Sequence, residues 1–288
     1  MISSERSPVL NEAEAVTSAV SELGESPLWD PAGVLYWVDI PGQRLHSVTP
    51  SGSGVSVELD ARVSAVELGT GDELLAVTER GLARLDPRSG RTTPIIELPL
   101  EPGARMNDAA IDPRGRCWAG SATHDDSRIG ALFCVAGRSV AVPVRGLGMS
   151  NGLDWSPDGL VLYHVDTAAG EVSQWRYRPA TGEVSGRRVL RHVPANVGLP
   201  DGLTVDAEGC LWVAIWGTGQ VWRLDPGSGE RISTVDVPAA CPTSCAFGGE
   251  HLDRLYVTSA QWDGDGGLLY RADVGVRGLP PRRFVEGF

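Results

Sequence analysis

The stretch Gly148-Met149-Ser150-Asn151-Gly152-Leu153-Asp154-Trp155-Ser156-Pro157-Asp158-Gly159, followed by Val161-Leu162-Tyr163-His164-Val165, reads as strand, Pro-Asp-Gly turn, strand. The same phrase recurs. Glu25-Ser26-Pro27-Leu28-Trp29-Asp30-Pro31-Ala32-Gly33 precedes Val34-Leu35-Tyr36-Trp37-Val38, and Asn107-Asp108-Ala109-Ala110-Ile111-Asp112-Pro113-Arg114-Gly115 precedes Arg116-Cys117-Trp118. Asp201-Gly202-Leu203-Thr204-Val205-Asp206-Ala207-Glu208-Gly209 precedes Leu211-Trp212-Val213, and weaker copies begin at Ser64 and Thr243. The units are spaced by roughly 40 to 50 residues, the period of propeller blades built from four strands. The pattern predicts an all-β chain folded as a six-bladed β-propeller. Leu82-Ala83-Arg84-Leu85 and Gln220-Val221-Trp222-Arg223-Leu224 are then third strands of their blades, ended by hairpin turns at Asp86-Pro87 and Asp225-Pro226.

Composition agrees. The 288 residues include 36 Gly and 20 Pro, no apolar helical periodicity persists, and no run approaches a membrane span. The net charge of -12 argues against a nucleic-acid partner, which requires a basic stripe. The five cysteines (Cys117, Cys134, Cys210, Cys241 and Cys245) are odd in number and lack disulfide or zinc-knuckle spacing, so they are expected to be structural. Met1 to Glu14 is polar, without the apolar centre of a signal peptide, which makes a flexible tail and a cytoplasmic location the expectation. Residues 15–288 are expected to form one propeller domain. Within it, Ala15 to Glu22 is expected to complete the last blade, because a ring closes by mixing strands from both chain ends.

Register then places chemistry. Five residues before the turn lie Glu25, Asn107, Asn151 and Asp201, and the weak units offer Ser64 and Thr243. Equivalent positions of a radial repeat lie on a ring around the axis. Two carboxylates and two amides on that ring, with no basic residue among them, form a hard oxygen set suited to a divalent cation. The competing reading is that such side chains satisfy local backbone groups at strand starts. Arg105, two residues before Asn107, can reach over the same opening.

Gly24-Glu25-Ser26-Pro27, Asn107-Asp108, Ser150-Asn151-Gly152-Leu153-Asp154-Trp155, Leu199-Pro200-Asp201-Gly202 and Pro242-Thr243-Ser244-Cys245-Ala246-Phe247-Gly248-Gly249 together resemble the gluconolactonase / senescence-marker-protein (regucalcin) family, in order from about Gly24 to Ser259. The resemblance implies a six-bladed propeller with a central metal site. It assigns Glu25, Asn151 and Asp201 as metal ligands, Asp201 also as catalytic base, and Arg105 and Asn107 as substrate contacts. One departure concerns the loop of blade three. Where some members carry a substrate-contacting Glu four residues before Gly-Ala-Leu, this chain has Asp126 before Gly130-Ala131-Leu132.

The implied activity is hydrolysis of a sugar-acid lactone, with one divalent cation polarising the carbonyl. Calcium is the first choice of cation, and zinc, manganese, magnesium or iron(II) are the alternatives. The expected partner is a small-molecule sugar lactone, with no nucleic acid and no membrane, and the protein is expected to be a monomer or weak dimer. The rival functions are a phosphotriesterase-like hydrolase on the same metal site and a non-catalytic calcium-binding propeller. Gly148-Met149-Ser150-Asn151-Gly152 also matches G-x-S-x-G, but that nucleophile elbow needs a helix where this chain has a strand. His124 reads as solvated surface, and Asp263-Gly264-Asp265-Gly266-Gly267 as a turn of the last blade. Trp216 and Trp262 follow second strands, where they either rim the pocket or pack in the core.

Overall fold

A computed structural model describes residues 10–49, 51–123, 125 and 127–287. Among the described residues six sheets of four antiparallel strands follow one another along the chain, one of them extended by a fifth, parallel strand, with a separate two-stranded hairpin beside the last. Their innermost strands are Gly24–Asp30, Val63–Leu68, Arg105–Ile111, Ser150–Trp155, Leu199–Val205 and Pro242–Gly248, each leading outward to later strands of its own sheet. Neighbouring inner strands touch all the way round, and the last meets the first. This is the six-bladed propeller that the repeat predicts.

The repeated phrase has a local cause. Asp112 Oδ1 accepts the Arg114 and Arg116 amides of its turn, and its other oxygen accepts the Trp118 indole N–H at 3.1 Å. Asp206 does the same for the Glu208 and Cys210 amides and for the Trp212 indole at 3.0 Å. The glycine ending each turn has the positive φ that side chains avoid, 84° at Gly115 and 86° at Gly209. Apolar side chains of facing blades fill the spaces between sheets. Trp118, Trp155 and Tyr177, for example, meet edge-on with centroids 5.6–6.0 Å apart.

The ring closes through the N-terminal segment, slightly differently from expectation. Leu10–Glu12, inside the stretch expected to be a tail, pairs in parallel with Thr234, Val235 and Asp236 of the fifth blade. The strand that completes the last blade is Glu14–Ala15, antiparallel to Tyr270 and Arg271. The expected strand from Ala15 to Glu22 is cut short because its partner, Tyr270–Asp273, is itself short. Beyond it the Val16 and Ser21 amides bond to the Leu269 and Gly267 carbonyls, and the Glu22 carbonyl accepts the Gln261 amide. Asp263-Gly264 turns the hairpin of Gln261–Trp262 with Asp265–Gly266, between second and third strands as expected.

The five cysteines are buried and unpaired. Among the described residues no helix is long and apolar enough to cross a membrane.

Candidate functional site

All six inner strands carry a register shift just where the ring residues sit: between Glu25 and Leu28, Val63 and Ala65, Met106 and Ala109, Ser150 and Leu153, Pro200 and Leu203, and Pro242 and Ser244. A bulge adds a residue on one strand and re-aims its side chains. At the first of these, Ser26 takes a φ of 51°, and its hydroxyl is held by the Val66 amide at 2.9 Å and the Val66 carbonyl at 3.2 Å.

The glycines following two ring residues let neighbouring blades close in. A Cβ on Gly152 would lie 2.3 Å from the Leu203 amide nitrogen, and one on Gly202 would lie 2.2 Å from Ser244 Oγ. Asn151 and Asp201 are thereby drawn to one place, both buried.

Two aspartates missed by the sequence reading set the approach to this ring. Asp39 accepts the Glu22 and Leu23 amides, both at 3.1 Å, just before Glu25. Asp166 accepts the Gly148 and Met149 amides at 3.2 and 3.0 Å, just before Asn151. The shared shape of Tyr36-Trp37-Val38-Asp39 and Tyr163-His164-Val165-Asp166 was the signal that could have found them.

The ring residues divide into two kinds. Ser64 Oγ donates to the Val77 carbonyl at 3.3 Å, and Thr243 Oγ1 donates to the Gly24 carbonyl and contacts Thr258. Their hydroxyls are used by the fold, so the six-oxygen ring is corrected to four side chains. Asn107 is committed too: its Oδ1 accepts from Arg105 Nη1 at 2.7 Å, and its Nδ2 donates to the Ser150 carbonyl at 2.9 Å. Asn151 is fixed through Nδ2, which donates to Thr167 Oγ1 at 3.2 Å, and Thr167 in turn donates to the Pro200 carbonyl. Asn151 Oδ1 and Asp201 Oδ1, however, are buried without a hydrogen-bond partner.

Such atoms are costly to bury unless something meets them. The electrostatics point the same way. Burial, then the charges of Asp201 and Asp108, push the Glu25 carboxyl well above the usual carboxylate range. Burial and Asp108 do the same to Asp201, while burial pushes Asp108 up to about 6. At Glu25 the Ser26 amide and then Arg105 act in the opposite sense. Two carboxylates, one amide oxygen and a shortage of positive charge fit a divalent cation held through hard oxygen donors. Among the described residues no three His, Cys, Asp or Glu converge as a metal-binding group, so the fit depends on counting the amide.

Beneath this site the channel widens into a cavity of about 130 Å³, lined by Ser26, Glu67, Asp108, Asp154 and Ser244 among others. Residues 279–282 of the C-terminal segment line its floor. Arg282 Nη1 donates to Asp154 Oδ1 at 3.0 Å, the Phe284 amide bonds the Leu68 carbonyl, and Arg84 grips Glu286 at 2.6 and 2.7 Å. Burial, then Asp108 and Asp154, push the Glu67 carboxyl well above its usual range. The opening therefore lies at the other end, where the inner strands begin. Asp126 and His124 fall outside the described residues.

Ser150 is not at that opening. It is fully buried, and its Oγ lies 2.8 Å from His164 Nε2, itself buried. A Cβ on Gly120 would meet Ser150 Oγ at 2.0 Å, which leaves no space for a substrate. The G-x-S-x-G match is part of the packing. Trp216 lies opposite Leu199, two residues before Asp201, and its ring meets that of Trp262 edge-on at 5.8 Å, with Trp262 54 % exposed.

The family profile described as SMP-30/gluconolactonase/LRE-like region matches residues 23–261. The chain belongs to this family. It is 34 % identical over 292 residues to regucalcin of Xenopus laevis, covering 94 % of this chain and 98 % of that protein. It is 36 % identical over 252 residues to YvrE of Bacillus subtilis, whose name provisionally makes it a sugar lactone lactonase, covering 86 % of each. Among solved structures, a calcium-binding regucalcin from Agrobacterium tumefaciens superposes with a TM-score of 0.89 at 29 % identity, over 96 % of this chain and 98 % of that one.

Proposed function

We propose that the chain is a metal-dependent lactonase that opens sugar-acid lactones of the gluconolactone type. The supporting observation is the pair of orphaned oxygens, Asn151 Oδ1 and Asp201 Oδ1, buried beside Glu25 in a chain of the gluconolactonase family. Glu25, Asn151 and Asp201 would hold the cation, calcium by choice. When bound, it supplies Lewis-acid polarisation of the lactone carbonyl.

The chain's own residues account for the rest. Asp201 takes a proton from the attacking water as its oxygen bonds to the carbonyl carbon. The bond from that carbon to the ring oxygen breaks, and the proton passes to the ring oxygen, giving the free hydroxy acid. Arg105 and Asn107 are joined at 2.7 Å as one rigid donor group, and they orient the substrate's oxygens. Asp126 is proposed as a further substrate contact.

The test is pH-stat hydrolysis of glucono-, galactono- and xylonolactones by chelated protein resupplied with calcium, zinc, manganese, magnesium or iron(II). Cation-restored turnover above spontaneous ring opening is the expected result. Background rates with every cation, beside turnover of an organophosphate ester or of nothing, would overturn the lactonase reading.

A further inference from the structure

The opening is chemically two-sided. On the second and third blades it is polar, with Arg62 paired to Glu79 at 3.1 Å and Arg105 bound to Asn107. On the fifth and sixth it is apolar. Leu199 pairs with Trp216 across the inner strands of the fifth blade, at the end where Asp201 sits. Val197, Leu199 and Trp262 are 44 %, 36 % and 54 % exposed, although each is large and apolar.

This apolar side is built onto the candidate centre rather than hung from a loose loop. The Gln261 amide bonds the Glu22 carbonyl at 3.0 Å, three residues before Glu25. The Ala260 amide bonds the Cys241 carbonyl at 2.9 Å.

We propose that Trp262, backed edge-on by Trp216 and continued by Leu199 and Val197, is a second subsite that holds an apolar face carried by a group attached to the lactone ring. This deepens the lactonase reading and rests on it. The complementary chemistry is an apolar surface, which either the C–H face of a second sugar ring or an alkyl arm supplies. The structure thus assigns the substrate class as lactones substituted beyond the reacting ring.

Three lactones separate the sources: glucono-1,5-lactone, cellobiono-1,5-lactone and δ-decalactone, each with wild type, Trp262→Ala and Trp262→Phe. In Trp262→Ala the kcat/KM ratio of one substituted lactone to gluconolactone should fall about 5- to 20-fold, with Trp262→Phe retaining most of it. Loss on cellobionolactone identifies a second sugar, and loss on decalactone an alkyl arm. Equal effects on all three lactones would sink the subsite.

Calorimetric binding of gluconate, cellobionate and 5-hydroxydecanoate to calcium-loaded protein makes the two readings separable. Trp262-dependent preference for a substituted acid without turnover upholds the subsite and discards the lactonase. Turnover of all three lactones with no Trp262-dependent preference in rate or binding does the reverse. Absence of both removes both.

Discussion

The two ends of the channel treat the same residue in opposite ways. At the closed end Asp112 is saturated: two amides, the Trp118 indole, Arg116 Nε at 2.5 Å and the Tyr177 hydroxyl at 2.5 Å. Asp206 is likewise surrounded, with Arg223 Nε at 2.9 Å. At the open end Asp201 is equally buried, yet one of its oxygens meets nothing. Burial of a charge is tolerated where partners compensate it; the first kind of aspartate has such partners, and Asp201 Oδ1 has no hydrogen-bond partner.

The sharpest way to break this comparison is Asp201→Asn. Turnover should fall about 10²- to 10⁴-fold, the usual worth of a general base, and calcium binding by calorimetry should weaken with it. The melting temperature of the chelated variant should not drop, because a repelling charge has been removed. A large drop would place Asp201 with the structural aspartates. Asp112→Asn should do the converse. Leaving Arg116 buried with a weaker partner should cost about 3–5 kcal/mol in denaturant melts, while kcat per folded molecule holds within about two-fold.

A smaller effect concerns His164, which burial lowers to about 4. Its unfolded value is about 6.5, so between those values the folded state binds fewer protons than the unfolded. The stability this group confers is complete above pH 6.5 and is lost as pH falls through 4. His164→Gln should flatten that acid-side loss by on the order of 2–3 kcal/mol, measured as melting temperature against pH. Smallest of all, Ser150→Ala should change kcat/KM less than about two-fold and stability by about 1 kcal/mol, the loss of one hydrogen bond. A collapse of activity with cation binding intact would revive the serine nucleophile.

The repeat was legible because its cause is local. An aspartate, a turn glycine and an indole at fixed offsets satisfy one another within a few residues, so the phrase survives as a string. The ring positions of Glu25, Asn151 and Asp201 followed from that register. What the string could not separate was use from availability. Ser64 and Thr243 occupy the same register as Asn151, but their short hydroxyls find a carbonyl or a neighbouring hydroxyl first. Partners far away in sequence also left no local mark: Arg282 reaches Asp154 across 128 positions, and Glu286 reaches Arg84 across 202. The C-terminal floor of the channel was invisible for that reason. The N-terminal closure was foreseen from topology, and its length was misjudged because the partner strand is short.

That closure sets an order of events in synthesis. Glu14 binds Arg271, 257 positions later in the chain. At roughly 5–20 residues per second, Glu14 leaves the ribosome on the order of tens of seconds before its partner exists. The early blades can form hairpins by themselves in that interval, since their contacts are sequential. The outer edge of the sixth blade stays bare until the first residues return to it. A chain halted before Tyr270 cannot settle into a smaller ring; it exposes an unpaired strand edge, the mark by which incomplete products aggregate or are removed.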